Sequence, residues 1–171
     1  MKKIMVLLCS LSMFFSVAAN AETVAKIDYL RMGSSNIIKE IVIPDKVGDC
    51  IIDFTVSPLE LGPSNDGKGV ALKDSNGKKF FFAIDDGHSF SAYDTYSMSF
   101  LWFDDNTDII TGEKYRFSLT VNGQTIKIYK YQNNNIELLT ECLWSGVFPL
   151  SVSLVSQRTG AEFFDMKVST D

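Results

Sequence analysis

The chain has 171 residues, 46% hydrophobic and 22% charged, with 21 acidic against 16 basic side chains and a formal net charge of -5. That composition excludes an intrinsically disordered chain, and the acidic balance argues against nucleic acid as a partner. The first 21 residues read as an export signal: Lys2 and Lys3, an apolar run from Ile4 to Val17, then Ala19-Asn20-Ala21 as a small-x-small cleavage site. Its removal takes two of the 16 basic residues and leaves 14 against 21 acidic ones, so region 22–171 is expected to carry a net charge of -7. A domain of this size buries about 70% of the surface its unfolded chain exposes. No apolar stretch after the signal approaches the ~20 residues that span a bilayer. The expectation is one monomeric domain over 22–171, periplasmic or secreted, rather than a cytosolic enzyme. The absence of any Asn-x-Ser/Thr sequon leans towards a bacterial export substrate.

Downstream of the signal the pattern is strand after strand. Ala25–Leu30 and Ile37–Ile43 are less regular runs that also read as strands. Cys50, Ile52, Phe54 and Val56 then share one face, opposite Ile51, Asp53 and Thr55, the period of two of a half-buried strand. After the turn-rich Leu61–Gly67 gap, Val70–Leu72 and Phe80–Ile84 flank Asp74-Ser75-Asn76-Gly77, which predicts a hairpin. Met98, Phe100 and Trp102 alternate, with Leu101 and Phe103 making both faces apolar. Tyr115 to Val121 alternate with Arg116, Ser118 and Thr120 up to Asn122-Gly123, and Ile126 and Ile128 return. Asn-Gly between such runs predicts a tight hairpin, because a type I′ turn needs positive φ at both central residues. Ile136–Leu143, Leu150–Leu154 and the closing Phe163–Val168 follow, the last with Phe164, Met166 and Val168 on one face. About ten short strands with turns between them predict an all-β fold, two antiparallel sheets packed face to face as a β-sandwich.

Cys9 falls inside the signal, which leaves Cys50 and Cys142 as the one possible intrachain pair. An oxidising compartment favours a disulfide between them, stabilising by about 4 to 5 kcal/mol for so long a loop. The parity of Cys50 with Ile52 and Phe54, and of Cys142 with Ile136 and Leu138, points both sulfurs at the core.

The order of three segments is recognisable: GVALKDSNGKKFFFAID (Gly69 to Asp85), GEKYRFSLTVNGQTIKIYK (Gly112 to Lys130) and AEFFDMKVS (Ala161 to Ser169). Together they resemble the concanavalin A-like lectin/glucanase jelly roll, in particular its laminin-G-like and pentraxin-like members. The resemblance implies a jelly roll over most of 22–171. A galactose-binding-type jelly roll, which also ends on an Asp-containing strand, is the neighbouring alternative.

The glucanase branch of that superfamily works with carboxylates spaced Glu-x-Asp-x-x-Glu on one strand, and retaining hydrolysis needs two carboxyls about 5 Å apart. No such spacing occurs; Glu137 and Glu141, four residues apart on a strand, lie about 13 Å from each other. His88, the only histidine, stands in Asp85-Asp86-Gly87-His88 and reads as a turn residue, its neighbour Ser89 pointing to the opposite face. One histidine and two paired cysteines cannot hold zinc. No cofactor is expected. Calcium is the one ion with a candidate loop, Asp104-Asp105-Asn106-Thr107-Asp108, which the lectin resemblance favours and which otherwise reads as turn-forming.

The aromatics carry the functional expectation. Phe90 to Phe103 mixes Tyr93, Tyr96, Phe100, Trp102 and Phe103 with Ser, Asp and Thr, and Trp144 stands at the start of a loop. Aromatic faces stack on sugar rings while Asp, Asn and backbone groups bond the hydroxyls; protein interfaces use the same Tyr and Trp anchors. Tyr93, Tyr96, Trp102, Asp104, Asp105 and Trp144 are therefore the candidate ligand-binding residues. The expected function is a non-enzymatic, carbohydrate-binding module. The alternative is a protein-binding periplasmic module, such as an inhibitor or toxin-immunity protein, whose acidic surface would steer a basic partner.

Overall fold

The computed structural model describes residues 22–34, 38–62, 66–85, 89–133 and 135–170, so region 1–21, expected to be an export signal, and His88 lie outside the described residues. The chain order is β1 (Glu22–Met32), β2 (Lys39–Val47), β3 (Cys50–Pro58), β4 (Lys68–Lys73), β5 (Lys79–Asp85), β6 (Ser89–Asp94), β7 (Ser99–Asp104), β8 (Tyr115–Asn122), β9 (Thr125–Gln132), β10 (Asn135–Leu143), β11 (Leu150–Ser156) and β12 (Ala161–Thr170). Sheet A runs β1-β12-β3-β8-β9-β10 and sheet B runs β2-β11-β4-β5-β6-β7, so each of the two antiparallel sheets holds six strands. No helix among the described residues is long and apolar enough to cross a membrane.

The sheets close on one core. Ile52, Phe54 and Val56 of β3 and Phe117, Leu119 and Val121 of β8 face Val70 and Leu72 of β4 and Phe80, Phe82 and Ile84 of β5, all fully or almost fully buried. Phe117 sits at the centre, edge-on to Phe82 at 5.0 Å and to Phe90 at 5.2 Å between ring centroids. Edge-to-face rings add attraction beyond their buried area, which suits a core this rich in phenylalanine.

Strand parity is broken where bulges insert one residue. Between Ala92↔Trp102 and Tyr93↔Phe100, Leu101 is the extra residue of β7. Between Leu138↔Tyr129 and Thr140↔Ile128, Leu139 plays that part in β10, and in β12 the ladder skips from Phe164 to Lys167 around Asp165, which has φ 50°. A bulge turns the side chains beyond it to the other face. Ala161, Phe163, Met166 and Val168 are thus the core residues of β12, with Phe164 outside, where alternation had put Phe164, Met166 and Val168 on one face.

Both expected hairpins form, each with its own turn chemistry. Asn122 pairs with Thr125, so the β8–β9 loop is Gly123-Gln124 rather than Asn122-Gly123. Only Gly123 of these two has positive φ, at 55°, as a type II′ turn requires. In the β4–β5 loop Asp74 does the work: its Oδ1 accepts from the amides of Asn76 at 2.8 Å and Lys78 at 2.7 Å, while Oδ2 accepts from the Val147 amide at 3.1 Å.

The expected disulfide is absent. Cys50 and Cys142 are both buried and both free. Cys50 pairs with Val121, Val121 with Ile126 and Ile126 with Cys142, one row across β3, β8, β9 and β10. Three interstrand steps of about 4.8 Å put the two residues about 14 Å apart, beyond the ~7 Å reach of a disulfide. Both thiols do face the core, but Cys142 arrives there through the Leu139 bulge, with Ile136 and Leu138 left exposed.

Candidate functional site: a hollow on the outer face of sheet B

Residues that alternate with the core of sheet B form a second apolar cluster on its outer face: Ala71 of β4, Phe81 and Ala83 of β5, and Val155 of β11. Ser91 and Tyr93 of β6 extend this face. The Leu101 bulge then places both Phe100 and Phe103 of β7 on it, registered with Tyr93 and Ser91. Tyr93 and Phe100 meet edge-on at 5.2 Å, and Phe100 and Phe103 at 5.6 Å, so the rings form a continuous band. Phe100 is 51% exposed despite its size.

The floor becomes a hollow because the chain folds back over it. Gly67 lies on Phe81 so closely that a Cβ there would come within 2.6 Å of the ring and 2.9 Å of Ala83 Cβ. The Gly67 amide donates to Gln157 Oε1 at 2.8 Å and the Gln157 amide donates to the Gly67 carbonyl at 3.0 Å. Next to this clamp the buried Asp66 carboxylate accepts from Arg158 Nε at 2.6 Å and from its Nη2. On the opposite rim Met98, at φ 53°, accepts the Tyr93 phenol hydrogen on sulfur at 3.5 Å. The space enclosed is about 310 Å³. Phe81, Tyr93 and Phe100 line it with rings, and Asp85, Ser91 and Gln157 with hydrogen-bonding groups.

Of the six sequence candidates, only Tyr93 lines this hollow. Tyr96 is 80% exposed in the β6–β7 turn, its ring under Lys78 Nζ at 5.6 Å. Trp102 is registered with Ala92 and packs, half-buried, against the main core. Trp144 belongs to that core at 2% exposure, 5.9 Å from Phe80 and tight beneath Gly146, so its face offers no ligand a surface. Asp104 caps its own loop, accepting from the Asn106 amide at 2.9 Å and the Thr107 hydroxyl at 2.6 Å; Asp105 is exposed beside it. Burial pushes the Asp104 carboxyl up, and the bonds from Thr107 and Asn106 more than offset this, holding it below the usual range. No group of three or more His, Cys, Asp or Glu that could hold a metal ion occurs among the described residues.

Gly67, Phe81, Asp85, Ser91, Met98, Phe100 and Gln157 are the lining residues outside that set. The readable signal for the floor was Phe80-Phe81-Phe82-Ala83-Ile84, apolar at every position in a strand only one face of which meets the other sheet.

No protein-family model and no curated protein matches this chain. Among solved structures it is similar to a carbohydrate binding module CBM66 from Bacillus subtilis, at 16% identity and TM-score 0.64 over 88% of this chain and 95% of that one. It is also similar to the Caenorhabditis elegans galectin LEC-6, at 10% identity and TM-score 0.55 over 82% of this chain and 96% of that one. A xylan beta-1,4-xylosidase from Bacillus halodurans matches at 9% identity and TM-score 0.61, over 83% of this chain but only 33% of the enzyme. The fold is therefore a jelly-roll β-sandwich of the concanavalin A-like type.

Proposed function

We propose that this protein is a non-catalytic carbohydrate-binding module whose site is the hollow on sheet B. The observation that carries the reading is the aromatic band of Tyr93, Phe100 and Phe103 running beside hydrogen-bonding groups at Asp85, Ser91 and Gln157. A sugar ring has the same division, an apolar C–H face and a polar hydroxyl edge, and pockets of this size bind by few polar groups on an apolar lining. The similarity to a carbohydrate binding module and a galectin supports the reading at the level of fold. Glycoside hydrolysis needs a pair of carboxyl groups flanking the bond, and Asp85 is the only carboxylate among the described lining residues. The export signal read in 1–21 adds a periplasmic or secreted location to the proposal, which cell fractionation tests.

Glycan-array binding of the 22–171 domain, followed by titration of Phe100→Ala, tests the site. Phe100 is half-exposed, so the variant should keep its melting temperature while losing about 1 to 3 kcal/mol of affinity. An array without any hit, or unchanged affinity in the variant, would sink the reading.

A further inference from the structure

We propose a second carbohydrate site on the opposite side of the molecule, in a hollow on the outer face of sheet A. It rests on the sugar reading above for the class of ligand, and on separate residues for its place. The hollow encloses about 390 Å³. The Leu139 bulge builds one wall of it, because that inserted residue turns Ile136 and Leu138 of β10 outwards beside Tyr129 and Tyr131 of β9. The floor is polar: Asp53 of β3 pairs across the ladder with Ser118 of β8, and Ser118 with Tyr129. Thr120 stands one row further along.

Asp53 makes this floor unusual. Its Oδ1 is buried and has no hydrogen-bond partner among the described residues. A carboxylate oxygen removed from water without a donor is unfavourable, and partial rotation about the soft terminal torsion would turn it towards the hollow, where a bound hydroxyl group can supply the missing donor. The surrounding charges narrow the ligand further. Lys167 of β12 stands opposite Asp53 in the ladder, and the Arg116 guanidinium of β8 lies 4.3 Å from the Tyr131 ring centroid. Lys127 and Glu141 pair with each other at 3.3 Å across β9 and β10. With these cations alongside, an organic cation is disfavoured; with Asp53 in the floor, so is an anion. A neutral polyol with an apolar face fits both. The two hollows also share one lining recipe: a single carboxylate, one or more hydroxyls, and tyrosine or phenylalanine rings. A chain with such a site on each outer face would bind two glycan strands, or one strand at two points, per molecule.

The test is an amide NMR titration of the folded 22–171 domain with xylohexaose and with an inulin-type fructo-oligosaccharide, together with calorimetric stoichiometry. The expected result is two sites per chain, with shifts at Ser118, Thr120 and Tyr129 as well as at Ser91, Tyr93 and Phe100. Asp53→Asn keeps the shape of the side chain and should weaken the sheet A site at least tenfold, leaving the sheet B shifts in place; Tyr129→Ala should do the same. Shifts confined to sheet B, at one site per chain, would overturn the second site and leave the first standing. If neither oligosaccharide shifts any residue of either face, both readings fall together.

Discussion

Asp74 shows how much one side chain can hold. Its two oxygens bind three backbone amides, two inside its own loop and one from Val147 in the segment before β11. Asp74→Ala leaves those donors without their partner and should cost about 3 kcal/mol, whereas Asp74→Asn keeps one acceptor oxygen and should cost less. Urea denaturation of the pair checks the order, and a harmless alanine would contradict the staple. The two thiols make the opposite kind of statement. Burial, with Asp49 adding to it, pushes the Cys50 thiol up to about 12, and burial pushes Cys142 up as well. A thiol that stays protonated is a poor nucleophile. Cys50 and Cys142 should therefore resist alkylation at pH 8 in the folded protein and react only on denaturation. A Cys50–Cys142 cross-linked peptide in a non-reducing digest would refute the observed register.

At the scale of strands and loops, the wall of the sheet B hollow depends on Gly67. Gly67→Ala drives a methyl group into Phe81 and Ala83 and should cost about 1 to 3 kcal/mol through overpacking, with glycan affinity falling alongside. Thermal melting and titration of one variant read both effects; loss of neither would mean the wall is slack. How much of this was legible in the sequence follows from the bulges. Period-two reasoning placed Ile52, Phe54, Val56, Phe117 and Leu119 in the core, where they are. It stopped working at Leu101, Leu139 and Asp165, because an inserted residue leaves no mark in the hydrophobic pattern that alternation can detect. The mixed segment around Phe100 looked irregular for that reason, and β6 (Ser89–Asp94) was not separated from it as a strand. The same insertion explains why Trp102 faces the core while Phe100 and Phe103 form the exposed band. Tyr93, singled out in the sequence, does line the hollow, whereas Gly67 and Gln157 are brought to it by contacts 90 residues apart in the chain.

At the scale of the molecule, the edge strand β2 is tied into sheet B by charge as well as by its ladder. Glu40 of β2, an edge strand, accepts from Lys79 of β5 at 2.9 Å and from the Ser153 hydroxyl of β11 at 2.8 Å. Burial pushes its carboxyl up, but these partners outweigh it and hold it below the ordinary 4.5. The folded protein thus binds fewer protons at this site than the unfolded chain, so the stabilisation is complete above the ordinary value and is lost as the pH falls through the folded one. The melting temperature should drop on acidification below about pH 4.5, and Glu40→Gln should flatten that part of the profile; parallel curves would count against the tie. The Gly67–Gln157 clamp has a wider consequence. Its two reciprocal bonds join the wall of the hollow to the connection between β11 and β12, and β12 is the strand that seats between β1 and β3. The wall and β12 should therefore open as one cooperative unit, which native-state hydrogen exchange would read. An occupant of the hollow, by holding Gly67 down, would slow exchange along the last strand of the chain, far from anything it touches.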